Sequence, residues 1–286
     1  MSLIWYLCAM NKSLPSVGYA FVTGAASGLG REFAFALSKV GWHLALADIE
    51  TEGLSQTAAA CSNAGSVRQI ELNVASRESW EAALRNVQGS WPRCDLFIQA
   101  AGVTGAGEVG QFPLDDWEWL LKTNLLGTIF GCHTLVPWLK ENRSARIVNI
   151  ASLAAAGSFP AMGAYNVAKS GVVALSETLH GELKPHGVSV TVALPGFFAT
   201  PLIARGRFSD ESLRKSGQSV MENAKITAAD IARAILHAAA RRKLYVVTPL
   251  RARVVWRLKR FAPNSLARLA AWVYKRECQT RQTEKA

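Results

Sequence analysis

Short apolar runs recur along the chain, and between them apolar positions return every three or four residues. Residues 17–22 form the first run and end in a glycine-rich turn, after which Phe33, Leu37 and Val40 recur at helical spacing through residues 31–39. That order is strand, turn, helix. Further buried strands are predicted at residues 43–47, 67–72, 96–100, 146–150, 189–193 and 244–247, with helical segments between them. Strands that are apolar throughout, rather than at alternate positions, need cover on both faces. The pattern therefore predicts an α/β fold: a doubly wound, parallel seven-stranded sheet with helices on both faces and a helical C-terminal extension. In such sheets a ligand lies outside the carboxyl ends of the strands, where the strand order reverses.

The chain divides into an N-terminal segment, 1–16, read as an addition to the fold or an edge of it, one domain over 17–248 with a lid at about 201–225, and an extension over 249–286. α/β chains of roughly 250 residues commonly close as one domain. Half of the residues are apolar and 19% are charged, which excludes a disordered chain, a collagen and a disulfide-stapled miniprotein. Cys8, Cys61, Cys94, Cys132 and Cys278 form an odd set without a C-x-x-C or a Cys/His pair at ligand spacing. Neither disulfides nor a metal site is expected, and a reducing cytoplasm fits. No apolar stretch approaches the ~18 to 20 residues that span a bilayer. Residues 3–10 are apolar but follow no basic segment and precede no clean cleavage site, so they are not expected to act as a signal peptide.

The net charge of +11 is unevenly placed: residues 1–240 hold 19 Lys/Arg against 19 Asp/Glu, and residues 241–286 hold 13 against 2. Arg251, Arg253, Arg257 and Arg260 recur among Val254, Val255, Leu258 and Phe261 at near-helical spacing, and Pro263 breaks the run. Asn264 or Ser265 can cap a second helix with Leu266, Leu269 and Val273 on one side and Arg268, Lys275 and Arg276 around it. Such a pair suits peripheral contact with an anionic membrane surface, a partner groove, a flap over an apolar pocket, or a solvated helix packed on its own domain. A neutral body with a basic tail is a weak version of the stripe that binds nucleic acid, so nucleic acid is not the expected partner.

Thr23-Gly24-Ala25-Ala26-Ser27-Gly28-Leu29-Gly30 follows the first strand and opens the first helix. Free N–H groups and the helix dipole meet there, which suits a pyrophosphate. Asp48 ends the second strand 18 residues after Gly30, close to the ~20 expected of the acid that accepts the ribose hydroxyls of a dinucleotide. A carboxylate there favours NAD and repels the 2′-phosphate of NADP. Arg31 argues the other way, since it could reach a phosphate.

Tyr165 and Lys169 stand at i and i+4 on one helix face, and Ser152 precedes the tyrosine by 13 residues. With these residues the sequence resembles the short-chain dehydrogenase/reductase family. The turn looks like its T-G-x-x-x-G-x-G, Tyr165-Asn166-Val167-Ala168-Lys169 like its Y-x-x-x-K, Asn124 in Thr123-Asn124-Leu125-Leu126-Gly127 like its helical asparagine, and Pro195-Gly196-Phe197-Phe198-Ala199-Thr200 like its P-G-x-x-x-T. The resemblance covers roughly residues 17–248 with every motif in family order, and it implies a Rossmann-type domain. It also implies hydride transfer between nicotinamide C4 and an alcohol or ketone carbon, with no metal. Tyr165 would be the general acid/base, Ser152 would hold the substrate oxygen, and Asn124 would hold a water linking Lys169 to solvent. Bringing a phenol from about 10 to about 7 costs roughly 4 kcal/mol, and Lys169 together with the oxidised nicotinamide would supply it. The cofactor would be held by Gly24, Ser27, Gly28, Leu29 and Gly30 at the turn, Asp48 and Ile49 at the ribose, and Asn73 and Val74 at the adenine. Ala101, Gly102, Tyr165, Lys169, Pro195, Gly196, Phe198 and Thr200 complete that set.

Two departures matter. Gln99-Ala100-Ala101-Gly102 stands where the family has N-N-A-G, which loses both asparagine amides and their hydrogen bonds at the sheet edge. Asn73-Val74 stands where the family commonly has Asp-Val, and the Asn73 amide can still meet the adenine amino group through its oxygen.

The lid at 201–225 reads as mobile and polar rather than as core, and Phe159, Met162, Phe197 and Phe198 are candidate pocket neighbours. Their apolar character points to an apolar alcohol or ketone. Three readings stay open: an NAD-linked alcohol dehydrogenase or carbonyl reductase, an NADPH-linked 3-oxoacyl reductase, and a noncatalytic dinucleotide-binding or membrane-interaction protein. The resemblance further implies a homodimer or homotetramer.

Overall fold

The computed structural model describes residues 14–285, with side chains through Gln279; the apolar residues 3–10 and Cys8 lie outside the described residues. Seven parallel strands form the main sheet: β1 (Tyr19–Thr23), β2 (His43–Asp48), β3 (Ser66–Glu71), β4 (Leu96–Gln99), β6 (Arg146–Ile150), β7 (Ser189–Pro195) and β9 (Tyr245–Thr248). Their order is β3-β2-β1-β4-β6-β7-β9. The predicted seven strands and their parallel pairing are what the chain adopts, with ends shifted by a residue or two. Order reverses between β1 and β4, so the ends of those two strands open the crevice where ligands bind.

Each strand feeds both faces. Ala20 and Val22 of β1, with Leu44, Leu46, Leu96 and Ile98, pack under α1 (Gly28–Ser38) and α9 (Ala228–Ala240). Phe21, Ala45 and Phe97 point the other way, into Trp80 and Val87 of α3 (Arg77–Gln88) and Leu135 and Leu139 of α5 (Gly127–Glu141). Phe21, Trp80 and Phe97 stack or meet edge-on at centroid distances near 6 Å. Burying side chains of this size contributes about 1.5–3 kcal/mol each. Leu14, within the segment read as an addition or an edge, is buried against the first of these layers.

Two further elements have no periodic signature. Gly105–Ala106 (β5) and Arg207–Phe208 (β8) pair in parallel as a two-residue ladder. The lid is also more ordered in composition than its charges suggest: Glu211–Glu222 is a helix, α8, with Asp210 capping the Ser212 N–H. Arg205, Arg207 and Arg214 are paired with Glu50, Asp116 and Glu211. Leu213, Val220 and Met221 turn toward a cavity, which is why the lid does not read as core in sequence yet is not simply a polar loop. The extension forms α10 (Leu250–Phe261) and α11 (Pro263–Lys285). No helix among the described residues is long and apolar enough to cross a membrane.

Candidate active site

The turn after β1 is shaped by two glycines. Gly24 has φ +69°, and a Cβ on it would lie 2.7 Å from Ala101 N; a Cβ on Gly30 would lie 2.1 Å from Gly24 O. No side chain fits either place, so the turn lies flat against the end of β4. α1 starts at Gly28, and Ser27 before it makes no side-chain cap. Its first N–H groups are therefore left for a ligand in the cavity that Ser27, Gly28, Leu29 and Gly30 line. Thr200 closes over this turn, with its Oγ1 at 3.2 Å from where a Gly28 Cβ would stand.

Asp48 sits at the end of β2 and lines the same cavity. Its Oδ2 accepts from Ala26 N at 2.9 Å and its Oδ1 from Glu50 N at 3.0 Å, which fixes the carboxylate and leaves one lone pair on each oxygen. Arg31 points elsewhere. Its Nε donates to Thr57 Oγ1 at 3.0 Å and its terminal nitrogen to Ala26 O, so the guanidinium is engaged by the chain itself. The base on this rim is Arg205, 3.7 Å from Glu50. Asn73 lines the cavity beside Val74, with its Oδ1 already accepting from Ala75 N at 3.0 Å.

At the other end of the crevice, α7 (Gly163–Leu183) presents Tyr165 and Lys169 toward Ser152, which follows β6. Tyr165 and Lys169 are buried, and the lysine Nζ lies 5.8 Å from the tyrosine ring centroid. Nζ donates to Ile150 O at 2.9 Å. Burial pushes the Tyr165 phenol up, a tendency opposed by its hydrogen bond with Ser152. Burial also pulls the Lys169 ammonium down to about 8, which leaves it largely protonated at neutral pH.

Asn124 is fully buried in a π-helical turn, Lys122–Leu126. Its Oδ1 accepts from Val103 N and its Nδ2 donates to Val103 O, both at 2.8 Å. The amide pairs with that loop as a strand would. Asn124 and Lys169 are nonetheless neighbours across Gly102, whose missing Cβ would lie 2.9 Å from Asn124 Oδ1 and 3.5 Å from Lys169 Nζ. The sheet-edge bonding put in doubt by Gln99 is restored by different atoms. Gln99 Nε2 donates to Asn149 Oδ1 and Thr128 O at 3.0 and 3.2 Å, and Thr23 Oγ1 accepts from both Ala100 N and Ala101 N at 3.1 Å. Thr23 opens the glycine-rich motif in sequence but was not among the candidate site residues; its place at the end of β1 gives it this role.

One cavity of about 1050 Å³ joins these parts, at the top of the roughly 300–1,000 Å³ usual for small-molecule sites. All the cofactor candidates line it, from Gly24 and Asp48 through Ala101, Gly102, Pro195 and Gly196 to Phe198, as do Ser152 and the aromatic neighbours Phe159, Met162 and Phe197. α11 supplies the far wall with Leu266, Leu269, Ala270, Val273, Tyr274 and Glu277. Part of the extension thus walls the cavity, and part packs on the domain. Tyr274 and Glu277 were missed, since nothing local marks them. The uncapped helix start, the fixed Asp48 carboxylate and the cavity's size together fit a nicotinamide dinucleotide with room for a second molecule.

A family model for short chain dehydrogenases matches residues 18–210. A 2-dehydro-3-deoxy-L-rhamnonate dehydrogenase (NAD(+)) of Sphingomonas sp. (strain SKA58) is 32% identical over 64% of this chain and 73% of its own. A 3-oxoacyl-[acyl-carrier-protein] reductase of Synechocystis sp. (strain ATCC 27184 / PCC 6803 / Kazusa) is 29% identical over 64% and 75%. The crystal structure of a short chain dehydrogenase/reductase from Burkholderia phymatum in complex with NAD superposes with TM-score 0.80 at 28% identity, covering 84% of this chain and 92% of that one. The matched span holds the turn, Asp48, Ser152, Tyr165 and Lys169, and the chain belongs to the short-chain dehydrogenase family of oxidoreductases.

Proposed function

We propose that the protein is an NAD-linked alcohol dehydrogenase or carbonyl reductase for an apolar substrate. The observation that carries this is the meeting of Ser152, Tyr165 and Lys169 at the floor of a cavity whose far side is apolar. The bound nicotinamide supplies the hydride acceptor or donor and, when oxidised, a positive charge that favours the phenolate. Everything else falls to the chain. Ser152 donates to the substrate oxygen and holds it against Tyr165. Tyr165 takes the carbinol proton during oxidation or returns it during reduction. Lys169, held by Ile150 O, binds the nicotinamide ribose and keeps a proton-bearing group beside the phenol. Asn124 acts behind the site, tying the Val103 loop so that Gly102 can pass close to Lys169.

NAD is favoured over NADP by Asp48, whose remaining lone pairs accept the ribose hydroxyls, and by Glu50 next to it, which occupies Arg205. Phe159, Phe197, Leu269 and Val273 define a substrate with a sizeable apolar body. Phe159 and Phe197 lie 6.3 Å apart. An NADPH-linked 3-oxoacyl reduction is the second reading, supported by the Synechocystis relative. The buried thiols Cys61, Cys94 and Cys132 suit a reducing compartment such as the cytoplasm, and a homodimer or homotetramer is the proposed assembly.

The experiment is to titrate the purified protein with NADH and NADPH, following nicotinamide fluorescence, and then to assay a panel of apolar secondary alcohols with the preferred cofactor. Tenfold tighter NADH binding, about 1.4 kcal/mol, and turnover that Tyr165→Phe abolishes are the expected results. Tighter NADPH binding moves the weight to carbonyl reduction. Binding of neither overturns the enzymatic reading.

A further inference from the structure

The outer side of the extension differs from its inner side in a way that packing on the domain does not require. In α10, Ala252, Val255 and Trp256 pack against Leu153, Val192 and Val247 of the domain. At about 100° per residue, Leu250, Val254, Leu258 and Phe261 fall on the opposite side of the helix. These four are 71%, 58%, 38% and 86% exposed. A helix seated on its own domain needs one apolar stripe; α10 has two, half a turn apart.

Charge frames the outer stripe. Arg251 borders it on one side and Arg257 on the other, and neither has a carboxylate partner among the described residues. The other bases of α10 are committed to the domain: Arg253 to Val247 O, Lys259 to Ser158 Oγ, and Arg260 to Tyr245 and Glu177. α11 adds an exposed Trp272 with the Arg276 guanidinium stacked 4.1 Å from its ring centroid. Residues 250–279 hold eight Lys/Arg and one acid, Glu277. A second copy of the chain laid on this stripe would set arginine against arginine, since a two-fold interface apposes like patches. An anionic surface would neutralise them instead.

We propose that α10 docks the protein on an anionic phospholipid bilayer, lying in the interfacial plane with Leu250, Val254, Leu258 and Phe261 at the acyl-chain boundary and Arg251 and Arg257 at the headgroups. This docking does not depend on the reaction assigned above. It does place the cavity close to the lipid phase, because α11, which walls the cavity, is joined to α10 through the single residue Ala262.

The test is co-sedimentation of the full-length protein with phosphatidylcholine vesicles, with and without roughly 30 mol% phosphatidylserine. The wild type is expected to partition at least about tenfold more strongly onto the anionic vesicles, and less so as salt is raised. The double variants Val254→Ser/Phe261→Ser and Arg251→Gln/Arg257→Gln should each lose about tenfold while their circular dichroism and NADH titration stay as in the wild type. Both pairs are exposed, so folding is not at stake. Equal partitioning of wild type and variants overturns the proposal, as does no partitioning at all. A stripe variant whose mass by light scattering falls while vesicle binding is unchanged also overturns it, and makes the face a contact between copies of the chain.

Discussion

Gln99 at the end of β4 donates to Asn149 Oδ1 on the adjacent strand β6 at 3.0 Å, and it reaches that far only because residue 131 on α5 is glycine. A Cβ at Gly131 would lie 2.3 Å from Gln99 Oε1 and 2.7 Å from the Trp80 ring. Asn149 in turn donates to Ser176 Oγ on α7 at 2.9 Å, so the amide chain braces the floor on which Tyr165 and Lys169 stand. Gly131→Ala should destabilise the fold by about 1–3 kcal/mol through overpacking. Gln99→Leu should cost about 1–3 kcal/mol by stranding buried acceptors. Urea denaturation with both variants checks this, and the pair should be non-additive because they share one contact. Wild-type stability in Gly131→Ala would show that the glutamine has another place to go.

Tyr165→Phe removes the hydroxyl of the proposed general acid/base. kcat should fall by about 10²–10⁴-fold, with NADH affinity and thermal midpoint little changed, since the ring still fills its buried place. Stopped-flow turnover alongside a fluorescence titration separates the two effects. Turnover within a few-fold of wild type would mean that another group moves the proton.

Lys169 carries a stability prediction. Its folded value is lowered to about 8 from 10.5 by burial, so between those values the unfolded chain binds more protons than the folded one. Stability must then rise with pH across that window, and below it the buried ammonium is a constant cost. Lys169→Met lacks the group, so the wild type should gain on it by about 3 kcal/mol, at 1.36 kcal/mol per pH decade, between pH 8 and 10.5. Parallel denaturation curves at several pH values measure the difference. A pH-independent difference would place the lysine pKa at its ordinary value.

Asp48→Asn removes the charge and leaves a single oxygen to accept from Ala26 N or Glu50 N, with an NH2 facing the other. A charge-assisted hydrogen bond contributes about 1.5–3 kcal/mol, so NADH affinity should drop tenfold or more while NADPH affinity rises. The nicotinamide fluorescence titration reads both. Unchanged preference would shift discrimination to Arg205 and Glu50.

The sheet was legible because each strand is an uninterrupted apolar run flanked by helical spacing, and a period of that kind survives any tertiary context. Tyr165, Lys169 and Ser152 were legible because short spacing fixes their helix face and strand end. Leu266, Leu269 and Val273 showed as one side of a helix, without showing what that side covers. What stayed hidden was decided by distant partners. Asn124 is turned inward by the Val103 backbone, Arg31 is drawn to Thr57, and Gln99 depends on Gly131; each is a contact between segments more than 20 residues apart. The β5–β8 ladder has two residues per strand, too few for any period to register.

Tyr274 and Glu108 hold α11 over the cavity: the phenol donates to Glu108 Oε1 at 2.6 Å across 166 residues of sequence. Burial and that carboxylate hold the Tyr274 phenol well above its ordinary value, so the latch stays protonated through neutral and mildly alkaline pH. Behind it, Leu269 and Val273 are half-exposed toward the cavity, surface that an apolar substrate would cover. Each methylene buried there should contribute about 0.8 kcal/mol, or roughly a fourfold gain in kcat/KM per carbon along an alcohol series until the wall is filled. Tyr274→Phe should raise KM for the longer alcohols by about two- to tenfold, the loss of one partly exposed hydrogen bond, and leave NADH binding alone. A chain ending at Ala262 should flatten the whole series, losing most for the longest alcohol and least for the shortest. A uniform loss across all lengths would instead assign α11 to stability, and an unchanged series would mean that the substrate's apolar body lies against Phe159 and Phe197 and never meets the extension.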